Sequence, residues 1–76
     1  MTLKQLVKVF ERNANDYYWL SQQCLESGEE KNYYIYKGMS CANRNNALLV
    51  ESIIANSTKT AMKKRLKLLL KDSENN

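Results

Sequence analysis

The sequence contains no proline, no histidine and only two glycines among its 76 residues. All-β folds need a turn about every ten residues, so the scarcity of turn-forming residues argues against them and against long irregular loops. The lack of histidine removes the commonest general base, the commonest metal ligand and the usual pH switch near neutrality. The length allows one small domain, 1–76, in which we expect 72–76 to be a disordered tail.

Apolar side chains recur at alternating spacings of four and three, which predicts amphipathic helices. In the first segment, about 2–27, the stripe consists of Leu3, Val7, Phe10, Ala14, Tyr17, Ser21 and Cys24. In the second segment, about 29–56, the main stripe consists of Ile35, Met39, Ala42, Asn46, Leu49 and Ile53. Thr2 suits an N-cap and Gly28 suits a helix C-terminus, so the two helices should form an antiparallel hairpin.

Part of the second segment has features that oppose a helix. Residues 32–37 are rich in strand formers, and Gly38 and the run 43–46 are poor helix formers. A lone strand would find no partner in the rest of the chain, so a helix is favoured, with a kink or break allowed at 43–46.

A third helix is predicted at about 58–71, because Ser57 and Thr58 are both good N-caps. The fold class is therefore all-α, an antiparallel hairpin plus a third basic amphipathic helix that runs back along the second. Basic and acidic side chains balance in 1–56, so the whole net charge of +4 comes from 57–76. Its main contributors on one face are Lys63, Lys64, Lys67 and Lys71.

The two cysteines, Cys24 and Cys41, are not expected to form a disulfide. On an antiparallel hairpin they differ in height by roughly 10–13 Å at the rise of a helix, beyond the ~7 Å Cα limit for a bridge. Both are expected as small core hydrophobes. The first residues do not resemble a signal peptide, and no apolar run approaches the roughly 18 residues of a membrane span. These features predict a cytoplasmic protein in which both thiols are free.

Catalytic constellations are missing from the sequence. A cysteine nucleophile would lack a histidine base, the carboxylates have no convergent spacing, and no glycine-rich phosphate loop is present. Two cysteines without histidine make a poor zinc set. We expect no enzyme activity, no cofactor and no small-molecule substrate.

The second segment is apolar nearly all round, which is typical of a helix at the centre of an assembly. Beside its main stripe lie two further apolar rows, Tyr34, Cys41, Leu48 and Ala55, and Tyr36, Ala47 and Ile54. We expect a homo-oligomer, with a dimer favoured, and a helical bundle built on these rows. The expected contributors are Tyr34, Tyr36, Asn46, Leu48 and Ile54, with Asn46 specifying the register. The alternative is that helices one and three cover every row.

Trp19 lies opposite the apolar stripe of the first segment, near Arg12, and has the character of an interface anchor. Its alternative is packing against the third helix or the loop. The third helix should bring Lys67 and Lys71 to the aromatic end of the hairpin. There they could bind an acidic protein surface or nucleic acid, and an anionic membrane is less favoured. The alternative is that the lysines only solvate a surface helix and complement the dipole at its C-terminus.

The favoured function is a non-enzymatic binding protein that inhibits or modulates a larger protein, with nucleic-acid-handling proteins as one candidate class. A nucleic-acid-binding regulator that uses the third helix is the alternative, although the helix-turn-helix spacing is absent. A structural or assembly protein ranks third. The composition, rich in lysine and asparagine, is typical of short reading frames of AT-rich phages or plasmids.

Overall fold

The structure is a computed structural model that describes residues 1–74, with side chains as far as Lys71. Within that range it contains helices joined by short irregular segments and no strand. It consists of α1 (Leu3–Glu26) and α2 (Glu30–Glu74). The all-α prediction is confirmed. Residues 32–37 are helical despite their strand formers, because packing of an amphipathic face outweighs the preference of single side chains.

α1 begins at the predicted cap. The hydroxyl of Thr2 accepts a hydrogen bond from the Gln5 backbone N–H at 3.1 Å, and the Gln5 side chain accepts one from the Thr2 N–H at 2.8 Å. This reciprocal pair is a capping box, which satisfies two backbone donors that the helix itself cannot satisfy.

The turn between the helices depends on Gly28, which has a φ of 76°. The Glu29 N–H donates to the Cys24 carbonyl at 2.8 Å, and the Gly28 N–H donates to the Leu25 carbonyl at 3.3 Å. These two bonds form a Schellman motif, in which the left-handed residue is normally glycine because it has no Cβ. The predicted turn at Gly28 is confirmed.

The two helices pack antiparallel through small side chains. The Ser40 hydroxyl donates to the Ala14 carbonyl at 2.7 Å, and the rings of Tyr17 and Tyr36 stack at 6.1 Å. Toward the open end of the hairpin, Val7, Ala47 and Val50 form a buried cluster, against which Leu6, Phe10 and Ile54 pack. Alanine and serine at the interface allow a close approach, which brings a side-chain hydroxyl of one helix to the backbone of the other.

The face of α2 that contacts α1 differs from the prediction. Its members are buried or half-buried and step by three and four: Tyr33, Tyr36, Ser40, Asn43, Ala47, Val50 and Ile54. The predicted main stripe is instead exposed, with Met39 at 38% and Leu49 at 61%. Periodicity could not choose between overlapping apolar rows. The hairpin selects the row whose small residues fit against α1, and Ser40 is tolerated because its hydroxyl is hydrogen-bonded.

The predicted third helix at 58–71 is not a separate element, because these residues continue α2 without a break. The hydroxyls of Thr58 and Thr60 donate to the carbonyls of Ile54 and Asn56, each at 3.0 Å. Both therefore act as helix-interior residues, and Thr58 is not the N-cap that the sequence predicts.

The break allowed at 43–46 is also absent. There the Asn43 amide donates to the Met39 carbonyl within the helix at 2.8 Å. Of the expected tail, 72–74 continue α2, and Asn75 and Asn76 lie outside the described residues.

The chain is consequently elongated. Its Cα radius of gyration is 20.6 Å and its longest dimension is 73 Å, whereas a compact chain of this length has a radius of gyration of about 11 Å. Ile54 packs against α1, and every side chain from Ala55 to Lys71 is exposed. We call residues 57–74 the arm.

Candidate functional site

One surface of α2 is a row of apolar residues repeated every seven positions, which we call the heptad row. It consists of Tyr34, Cys41, Leu48, Ala55, Met62 and Leu69. All six are exposed, and Leu48, Met62 and Leu69 are 56%, 66% and 62% exposed. The row runs through both the hairpin and the arm.

A second surface, the lateral stripe, consists of the exposed residues Ile35, Met39, Ala42, Asn46, Leu49 and Ile53. At about 100° per residue, it lies about 150° around α2 from the heptad row. It is confined to the part of α2 that packs on α1. Four large apolar side chains in one line make it a contiguous exposed patch, which in soluble proteins usually marks an interaction site.

A third surface, the lysine cluster, lies on the arm. Leu68 shares a shallow surface depression with Lys64, Lys67 and Lys71. Leu68 is 65% exposed. The same angular arithmetic places this cluster on the side of α2 that carries the lateral stripe, so one side of the helix is apolar along the hairpin and basic along the arm.

The residues predicted to bind a partner are exposed, but the structure does not bring them together. Lys63 and the three lysines of the cluster lie on the arm, whereas Trp19 and Arg12 lie on α1. The expectation that Lys67 and Lys71 approach the aromatic end is wrong for a single chain, because α2 runs straight past α1. Lys67 lies about 45 Å along the helix from the Tyr17–Tyr36 stack.

Two residues predicted for self-association are occupied within the hairpin. Tyr36 stacks on Tyr17, and Ile54 packs on the cluster around Val7. Both belong to the set of residues, spaced by three and four from Tyr33 to Ile54, through which α2 packs on α1. Tyr34, Asn46 and Leu48 remain exposed. Asn46 therefore lies on a surface rather than inside a core.

The two thiols are free, as predicted, but only Cys24 is buried, whereas Cys41 is exposed on the heptad row. The prediction that both are core residues is therefore wrong for Cys41. Burial raises the pKa of the Cys24 thiol, and the hydrogen bond to Glu29 and the charge of that carboxylate raise it further. Because the folded state favours the neutral thiol, this contribution to stability is present below the ordinary thiol pKa. It is lost as the pH rises through the raised pKa of Cys24.

The two thiols should differ sharply in reactivity. At about pH 8, iodoacetamide should alkylate Cys41 first and Cys24 roughly tenfold or more slowly, because the thiolate is the reactive form and Cys24 is both buried and less ionised. Mass spectrometry of tryptic peptides over time measures both rates, and urea-unfolded protein is the control in which the two rates converge. Equal rates in the folded protein would contradict the burial of Cys24.

The described geometry defines a class: an all-α helical hairpin whose second helix extends into an exposed arm. No family model matches the chain, and comparisons with curated proteins and with solved structures give no match either. In residues 1–74, neither helix combines the length and apolar character that a bilayer crossing requires. The same residues bring together no group of three or more acidic or cysteine side chains suited to a metal ion.

Proposed function

We propose that this protein is a non-enzymatic binding module that inhibits or modulates a larger protein. It would bind through the side of α2 that carries the lateral stripe and the lysine cluster. The observation that carries this proposal is Leu68, an exposed apolar side chain surrounded by Lys64, Lys67 and Lys71. An apolar anchor inside a charged rim is the usual anatomy of a protein–protein hot spot. The partner surface should therefore be acidic around an apolar pocket.

The same surface fits a protein better than it fits nucleic acid. In nucleic-acid binding, the lysines would gain free energy by neutralising phosphates, whereas Leu68 and the lateral stripe would stay in water. Binding of single strands depends on aromatic platforms, and the stacked tyrosines lie at the other end of the hairpin. Apolar side chains along the hairpin extend the proposed contact by a further 19 residues of helix, from Ile35 to Ile53.

A nucleic-acid-binding regulator and an assembly protein are the competing functions. The exposed lysines of the arm support the first, and the exposed apolar rows of α2 support the second. We place the protein in the cytoplasm, where an exposed free thiol such as Cys41 persists.

The test is affinity capture from host lysate with three variants beside the wild type. Leu68→Ala removes the anchor and keeps every charge, whereas the double variant Lys64→Glu/Lys67→Glu reverses the rim. Lys59→Glu/Arg65→Glu is the matched control, since it makes the same charge change on other faces of the arm. We expect one protein to be recovered after nuclease treatment and identified by mass spectrometry. Its affinity should fall roughly 30-fold or more with Leu68→Ala, and it should be recovered normally by the control.

Two outcomes would contradict the proposal. Nuclease-sensitive recovery that is lost with the lysine reversal, but unchanged by Leu68→Ala, would assign the arm to nucleic acid. Recovery of the same protein by all variants would move the contact to another surface, with Trp19 as the next candidate.

A further inference from the structure

The heptad row has a regularity that neither the hairpin nor the proposed function uses. Its six members keep one spacing from Tyr34 to Leu69, across the part of α2 that packs on α1 and across the arm. A coiled-coil seam has two apolar rows, and the heptad row supplies one of them over the whole of α2. A strict seven-residue repeat drifts about 20° per seven residues around a straight helix, so a helix that packs along this row must wind gently around α2. The occupant of this face should therefore be a helix about as long as α2.

The buried interior of the single chain is small. Its buried hydrophobic residues, among those described, are Val7, Ala14, Cys24, Ala47 and Val50, and none is larger than valine. Domains of this size usually need a disulfide, a metal or a partner subunit in addition to their core. The thiols are free, so a partner chain is the remaining route to a larger core.

We propose that this partner is a second copy of the chain, and that the two α2 helices pair antiparallel through their heptad rows about a two-fold axis near Ser52. Ser52 is the midpoint of α2 (Glu30–Glu74), and the midpoint of the heptad row falls beside it. This coincidence allows the two helices to overlap along their whole length while each row residue meets another row residue.

Two of the three pairs that result combine a large residue with a smaller one. Leu48 of one copy lies opposite Ala55 of the other, and Cys41 lies opposite Met62. Tyr34 lies opposite Leu69 at each end. Alternation of large and small residues across facing positions is the arrangement that lets two helices interdigitate.

Charge selects the antiparallel arrangement over the parallel one. The arm carries six basic side chains, Lys59, Lys63, Lys64, Arg65, Lys67 and Lys71, so parallel pairing would place two such arms side by side. Antiparallel pairing instead places each arm beside residues 30–56 of the second copy's α2, where three basic and two acidic side chains nearly balance. Glu26 and Glu29 lie at the turn beside Glu30 and make that end of the second copy more acidic.

The contact area is of the size that a stable dimer needs. A strip about 10 Å wide along a 45-residue helix, about 67 Å long, covers about 670 Å² per copy. Specific dimers bury about 800 Å² per partner, and contacts of α1 with the second copy's arm add to the strip. The heptad row lies about 150° from the lateral stripe, so the side used by the proposed function stays open in the dimer.

Cross-linking tests the pairing directly. In Met62→Cys, mild oxidation should join Cys41 of one copy to the introduced thiol of the other, because the two positions face each other. Lys63→Cys is the matched control, since its side chain projects about 100° further round the helix. The wild type should stay unlinked, because antiparallel pairing holds the two Cys41 residues about 30 Å apart. A bond between two introduced thiols, a Cys41–Cys41 bond in the wild type, or equal cross-linking in the control would overturn the proposal.

Sedimentation equilibrium provides the second readout. At about 100 µM, the wild type should have twice the chain mass of 8.9 kDa. Leu48→Glu should weaken association roughly 100-fold or more, because it places a carboxylate in the dimer core. Leu49→Glu, one residue along on the lateral stripe, should leave the mass unchanged. A wild type of single-chain mass, or equal effects of the two substitutions, would overturn the proposal.

Discussion

Replacing Ala47 with aspartate should strongly destabilise the hairpin. Ala47 is 3% exposed and lies in the cluster with Val7 and Val50. A carboxylate at this position would lose its hydration without gaining a cationic partner, at a cost of about 3–5 kcal/mol. The whole stability of a small domain is of the order of 5–10 kcal/mol, so a large part of it would be lost. Urea unfolding followed by far-UV circular dichroism measures the change.

Ala42→Asp is the matched control for this experiment. Ala42 is exposed on the lateral stripe, so the new carboxylate stays in water and the free energy of unfolding should change by about 0.5 kcal/mol or less. The pair of variants distinguishes the two possible faces of α2, because the main apolar stripe of the sequence contains Ala42 and the hairpin interface contains Ala47. Greater destabilisation by Ala42→Asp would mean that α2 packs on α1 through its main stripe.

The second large effect is expected from Thr58→Pro. The ring would remove the backbone N–H at this position and clash with the carbonyl of Ile54, which costs about 3 kcal/mol or more inside a helix. The arm should therefore bend away from the axis of α2 or unwind. Small-angle X-ray scattering should show a maximum dimension shorter than the 73 Å of the straight molecule, and far-UV circular dichroism should show a loss of helix.

Thr58→Ala is the control, because it removes only the hydroxyl that donates to the Ile54 carbonyl. It should leave the length and the helix content unchanged. A third helix that began at this point would tolerate proline in its first turn. Full helix content and unchanged length in Thr58→Pro would therefore restore the three-helix arrangement.

The sequence predicts α1 well because this helix has one dominant apolar face. The stripe from Leu3 to Cys24 contains the buried residues Val7, Ala14 and Ser21. The caps at Thr2 and Gly28 are equally readable, since each satisfies backbone groups that a helix end leaves unpaired. Such features are local, so one segment of sequence is enough to predict them.

α2 is predicted less well because it is apolar on several faces, and the choice among them depends on α1. The bond from Ser40 to Ala14 and the stack of Tyr36 on Tyr17 are properties of the pair of helices. A detectable signal existed in the three-four spacing from Tyr33 to Ile54, which matches that of α1. The candidate site shows the same difference between properties of one segment and properties of the whole fold. The exposure of Trp19 and of the arm lysines was predictable, whereas their separation depends on the direction of the arm.

The short turn at Gly28 also means that the two halves of α2 should find their neighbours by different kinetics. Its closure brings neighbouring segments of chain together at small entropic cost, so the hairpin can form quickly and at any dilution. In the proposed dimer the exposed side chains of the arm are covered by a second molecule, and that step is bimolecular. The first half of α2 would then acquire its neighbours at a rate set by the chain, and the second half at a rate set by the protein concentration.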